Sequence, residues 1–190
     1  MYDLNEIRKE FPILDKKIYG KTLCYLDNGA SAQKPKRVLE VINKTYSSEY
    51  ANVHRGLHYL SNIATDNFEA VRDKVKNFLG ASSSAEIVFT SGTTESINLI
   101  SYGWGKPNLS KGDEIILSVM EHHANIVPWH FLRESIGVVL KWVEPRKDGS
   151  ISPSDVFSKI TSDTKLIALT HMSNVLGSIL DVKAICKSEK

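Results

Sequence analysis

Cysteine is scarce: the 190 residues hold two, Cys24 and Cys186. They have no C-x-x-C spacing, so neither a disulfide framework nor a cysteine zinc site is expected. No apolar run approaches the roughly 18 residues that a membrane-crossing helix needs. The opening residues mix Asp3, Glu6, Arg8, Lys9 and Glu10 without an apolar segment, which argues against a secretory leader. An excess of one charge is also missing. Lys and Arg number 24 against 22 acidic residues, a net +2, and no basic run exists to track a phosphate backbone. These absences disfavour a membrane protein and a nucleic-acid binder, and a reducing cytoplasm is the expected setting. What remains is 42% hydrophobic and 24% charged, enough for one globular core.

The pattern along the chain is that of an α/β protein. Asp3 to Phe11 predicts a helix capped by Asp3 and stopped by Pro12. Leu23 to Leu26 predicts a strand running into a turn at Asp27-Asn28-Gly29. Val38, Leu39, Ile42 and Tyr46 predict a helix that starts at Pro35. Ile63, Ala64, Phe68, Val71, Val75, Phe78 and Leu79 form the stripe of a second helix over 61–79, closed by Gly80. Beyond Gly80, apolar runs alternate with helical patterns: Ile87–Phe89 then 93–104, Ile115–Leu117 then 125–136, Val138–Leu140 then 153–160, and Leu166–Leu169 before a helix from Asp181. That alternation predicts a mostly parallel sheet of four or five strands, covered on both faces. There is no internal repeat and no low-complexity segment.

Four stretches carry polar groups suited to chemistry. In Thr90-Ser91-Gly92-Thr93-Thr94-Glu95, small residues precede the first turn of a helix. Its amides, with the Thr93 and Thr94 hydroxyls, can cradle a phosphate or form an ordinary helix cap. No Gly-Lys-Ser/Thr follows, so it is not a Walker A loop; Gly103-Trp104-Gly105 is not a dinucleotide fingerprint either. In Glu121-His122-His123-Ala124-Asn125, a histidine can stack on a flat ring or cap the next helix. In His171-Met172-Ser173-Asn174-Val175-Leu176-Gly177, Asn174 can donate to a ligand oxygen, or the segment is a routine turn. These three stretches each follow a predicted strand, so they are expected at one edge of the sheet. The fourth, Asn52-Val53-His54-Arg55-Gly56-Leu57-His58, spaces two histidines four apart but lacks a zinc-peptidase glutamate. Arg55 suits a carboxylate, and no metal site is expected.

Taken with Thr22 to Ala30, with Ile126 to Trp129 and with Ser173 to Gly177, these blocks occur in one order along nearly the whole chain. Together they resemble the class V aminotransferases, in particular the SufS-type cysteine desulfurases. The resemblance implies part of the large domain of a fold-type-I pyridoxal 5′-phosphate (PLP) enzyme, truncated, with a mixed, mostly parallel sheet. Residues 1–22 would belong with the small domain and residues 23–190 would form an incomplete PLP-binding large domain. It also implies conversion of L-cysteine to L-alanine, a persulfide passed to an acceptor protein of iron–sulfur cluster assembly, and a homodimer. By match to the family pattern, Thr93 and Thr94 would hold the PLP phosphate, His122 would stack on its ring and Asn174 would bond the ring's phenolic oxygen. His54 and Arg55 would stand at the mouth of the substrate site, and Glu95 near the dimer interface.

Three parts of the family pattern are not found in these residues: a Ser-x-His-Lys segment that tethers the cofactor, an Asp-Gly-x-Gln segment whose Asp pairs with the ring nitrogen, and a mobile-loop cysteine nucleophile. Lys183, Lys187 and Lys190 match no such motif. Cys24 is expected in a buried strand and Cys186 on a helix face, so no catalytic residue is assigned. The expected protein is therefore an inactive piece of a desulfurase. The alternatives are a non-catalytic or regulatory remnant that pairs with a full-length desulfurase, and part of a selenocysteine lyase or another class V lyase.

Overall fold

The computed structural model describes residues 2–187 and divides the chain into two compact units that meet between Val88 and Phe89. In the first, α1 (Leu4–Lys9) starts where Asp3 accepts hydrogen bonds from the amides of Asn5 and Glu6. Pro12 ends it in a 3-10 turn. A small antiparallel hairpin follows, β1 (Lys17–Ile18) with β2 (Lys21–Thr22). Next comes α2 (Lys36–Lys44), led by Pro35, and then α3 (Tyr59–Leu79). Gly80 closes α3 in the left-handed conformation (φ 71°), which glycine adopts without a Cβ penalty. The start of α3 lies two residues earlier than the sequence predicts, because His58 Nδ1 accepts from the Ser61 amide.

The second unit opens with α4 (Thr93–Ile100), which runs through a wider π-turn, Ser101–Gly105, into α5 (Lys106–Asn108). Then follow β3 (Glu114–Ser118), α6 (Val127–Ile136), β4 (Val139–Val143), α7 (Pro153–Phe157), β5 (Thr164–Ala168) and α8 (Val182–Lys187). The sheet is parallel, in the order β4-β3-β5. The central strand alternates its side chains between two faces, and both faces are covered. Ile115 and Leu117 pack with Trp129 and Leu132 of α6; Ile116 packs with Val156 of α7 and Ile185 of α8. This two-sided burial explains the unbroken Ile-Ile-Leu run. Each of those side chains is fully buried, contributing about 1.5–3 kcal/mol.

At the base of the sheet Glu114 ties all three strands. Its carboxylate accepts from Lys141 Nζ at 2.6 Å, from Thr161 Oγ1 at 2.5 Å and from Thr164 Oγ1 at 2.9 Å. Those bonds, with the lysine first, hold its carboxyl below the ordinary carboxylate range.

Two predicted strands do not form. Leu23–Leu26 and Ile87–Phe89 join neither sheet among the described residues, so the parallel sheet has three strands rather than four or five. An apolar run has the local preference of a strand, but a ladder also needs a neighbour. Leu23 and Ile87 instead give their carbonyls to the guanidinium groups of Arg8 and Arg72. Cys24 is consequently exposed, not buried in a strand, while Cys186 is exposed on α8 as expected. The α3 stripe forms at the predicted spacing but stays poorly covered, with Phe78 88% and Leu79 65% exposed.

Candidate functional site

The carboxyl ends of β3 and β5 are adjacent, and the loops that leave them are joined by one carboxylate. Glu121 is buried and accepts three hydrogen bonds: from Ser118 Oγ at 2.6 Å, from the Thr170 amide at 2.9 Å and from Asn125 Nδ2 at 2.8 Å. Asn125 also donates to the Ala168 carbonyl at 3.1 Å, and its own carbonyl accepts from Trp129 Nε1 at 3.0 Å. A polar network thus runs from the end of β3, across the end of β5, to the first turn of α6. Every buried polar side-chain atom among the described residues has a partner.

His122 follows directly. It begins the 3-10 turn His123–Asn125, and its Nδ1 accepts from the Ala124 amide at 3.1 Å. The neutral ring then carries its proton on Nε2. The residue is exposed, and the His123 ring stands nearly edge-on to it with centroids 6.2 Å apart. The capping role and an open ring face coexist in one side chain.

Beyond β5 the chain forms a hairpin-like loop closed by a bridge between Met172 and Ile179. Buried Ser173 organises it: its amide donates to the Ser178 carbonyl, and its hydroxyl accepts from the amides of Val175 and Leu176. Gly177 completes the turn with φ 71°. Asn174 lies exposed at the tip.

The first turn of α4 supplies the third part. Gly92 precedes it with φ 155° and ψ 177°, a conformation open to glycine alone, and no side chain caps the helix start. Thr93 and Thr94 lie exposed on that turn. Glu95 folds back to accept from both the hydroxyl and the amide of Ser91, each at 2.6 Å, and the hydroxyl bond leads in holding its carboxyl below the usual range. The helix packs against the His123–Asn125 turn, and Ile97 joins the core on that face of the sheet. The structure therefore joins the stretches carrying His122 and Asn174 through Glu121 and packs α4 beside the first of them. The expected edge of three strands is met by two strands and one helix.

His54 and Arg55 lie in the first unit. His54 has φ 66°, donates its amide to Thr65 Oγ1 and places Nε2 3.0 Å from the Glu69 carboxylate, with Phe68 edge-on at 5.9 Å. Buried Ser61 laces this loop to α3, donating to the Asn52 carbonyl at 2.7 Å and accepting from the Gly56 amide at 3.0 Å. Arg55 is exposed, and its guanidinium has no partner among the described residues. Ser61 and Glu121 are the residues that motif reading missed. The signals for them were a serine on the apolar face of a helix and an acid three residues past a strand with an Ile-Ile-Leu centre. No group of three His, Cys, Asp or Glu side chains suited to a metal occurs among the described residues.

Residues 24–190 match the family model Aminotransferase class-V. A probable cysteine desulfurase of Halalkalibacterium halodurans is 45% identical over 183 residues, 96% of this chain and 45% of the relative. The chain thus spans less than half of that relative's length. Among solved structures, the apo cysteine desulfurase of Thermococcus onnurineus NA1 superposes with a TM-score of 0.87 at 38% identity, covering 98% of this chain and 44% of that one. A structure of SspA in complex with cysteine gives 0.71 at 32% identity, over 80% of this chain and 43% of that one.

Proposed function

The chain belongs to the class V aminotransferase family, and from that premise we propose that it carries the cofactor-binding part of a PLP-dependent cysteine desulfurase. The observation that carries this reading is the uncapped, glycine-led start of α4, with two threonines in its first turn. Free amides and hydroxyls at a helix N-terminus are the donor set a phosphate ester needs. The remaining donors suit the rest of the cofactor: an exposed imidazole face at His122 for an aromatic ring, and the Asn174 carboxamide for a ring oxygen.

In this reading Thr93 and Thr94 hold the phosphate, His122 stacks on the ring and Asn174 fixes its rotation. When bound, the cofactor supplies an electron sink for breaking bonds next to the substrate's amine. Arg55, with its guanidinium unengaged, pairs with the substrate carboxylate, and His54 shapes the loop that presents it. The family's relatives named cysteine desulfurase, and the neighbour bound to cysteine, support L-cysteine as the substrate. L-alanine and a persulfide for an iron–sulfur acceptor protein are the products. We place the chain in the cytoplasm, as part of a homodimer, with residues 1–22 associated with a small domain and 23–190 with the PLP-binding domain.

No residue among these 190 matches the family's tethering lysine or its nucleophilic cysteine. The chain by itself is therefore expected to bind PLP without releasing sulfide from L-cysteine. Equilibrium dialysis against PLP, paired with a sulfide assay, tests both parts. Saturable binding that inorganic phosphate displaces supports the reading. Absence of binding overturns the cofactor assignment, and sulfide release overturns the assignment of no catalytic group.

A further inference from the structure

We infer that Glu121 is the positioning residue of the proposed cofactor site, an inference that rests on the PLP reading above. The three groups donating to it come from the end of β3, from the turn that begins at His122, and from the root of the hairpin that carries Asn174. Oε1 takes both the Ser118 hydroxyl and the Thr170 amide, while Oε2 takes the Asn125 amide group.

Each connection bears on one ligand-facing residue. Asn125 closes the turn around His122, since its backbone amide also donates to the His122 carbonyl at 2.8 Å. Thr170 stands two residues before the Met172–Ile179 bridge, and its hydroxyl donates to the Met172 carbonyl at 3.1 Å. One buried carboxylate therefore sets the spacing between an imidazole and a carboxamide on neighbouring strand ends, without itself facing the ligand. A second layer of hydrogen bonds of this kind decides whether the first keeps its geometry. None of the three donors to Glu121 lies on α4, so the threonines of that helix start are not bonded to it.

The test uses the full chain with Glu121→Gln and Glu121→Ala. Glutamine keeps the volume but turns one acceptor oxygen into an amide NH2, which then faces a donor: Asn125 Nδ2 at one position, Ser118 Oγ and the Thr170 amide at the other. Without ligand, NMR of the His122 ring nitrogens and of the Met172–Gly177 amides is expected to change in both variants, while the Thr93 and Thr94 amide signals stay in place. Unchanged His122 and Met172–Gly177 signals overturn the inference. In dialysis, Glu121→Gln is expected to weaken PLP about tenfold and inorganic phosphate alone by less than about twofold. Equal weakening of the two ligands, or of neither, also overturns it. If Glu121→Ala loses its dispersed amide spectrum, Glu121→Gln decides the matter. A wild-type chain that binds no PLP overturns the cofactor reading alone, and the NMR arm still decides the role of Glu121.

Discussion

Single residues that lie close in sequence have separate duties. Thr94 is expected to act on the phosphate directly. A hydrogen bond to a charged group contributes about 1.5–3 kcal/mol, so Thr94→Ala should weaken PLP about tenfold or more in equilibrium dialysis. Gly56 acts sterically. A Cβ there would come within 2.5 Å of Ser61, whose hydroxyl bridges the Asn52–Gly56 loop to α3. Gly56→Ala should therefore destabilise the chain by about 1–3 kcal/mol, read as a lower denaturant midpoint. That Thr93 and Thr94 open a helix, and that His122 and Asn174 lie in loops beyond strands, was legible because each follows an apolar run within a short polar block. Ser61 and Glu121 were not, because their roles exist only once separate segments meet: a serine or a glutamate says nothing of the carbonyl or amide it will find.

Among the elements, β3, α6 and β4 share one apolar core, and its stability should concentrate on α6. Trp129 is buried against β3 and also bonds Asn125. Trp129→Ala should cost about 3–5 kcal/mol and loosen the turn at His122, measured by chemical denaturation and by hydrogen exchange of the Asn125 amide. The base of the sheet makes a pH prediction. The Glu114 carboxyl lies below its ordinary value because Lys141, Thr161 and Thr164 favour its charged form. Its contribution is therefore fully present above the unfolded-state carboxylate value and is lost as pH falls through the lower folded-state value. The melting temperature of the wild type should exceed that of Glu114→Gln at neutral pH, with the gap closing in acid; a constant gap would contradict this. The helices and the three paired strands were readable from periodicity and caps. Leu23–Leu26 and Ile87–Phe89 misled because their local pattern is that of strands, while the carbonyls of Leu23 and Ile87 are taken by arginines and neither segment joins a sheet among the described residues.

For the molecule as a whole, burial is uneven. The apolar clusters surround β3 in the second unit, whereas in the first Ile87 is the one buried apolar side chain among the described residues. On either side of β3, β4 and β5 each leave one edge unpaired among the described residues. Exposed apolar surface of this extent, with a net charge near zero, favours association. Sedimentation of the purified chain should show species larger than the monomer at micromolar concentration, and a single monomeric species would contradict that expectation. The α/β class and parallel strand direction could be read from the alternation of elements, but the number of paired strands could not, since it depends on which segments find neighbours. If the proposed site is right, one ligand touches α4 and the loops beyond β3 and β5 together. Chemical-shift mapping of the full chain during titration with PLP tests it most directly. Thr93, Thr94, His122 and Asn174 should shift together along a single saturation curve. Shifts confined to one of these segments, or lying elsewhere in the chain, would contradict it.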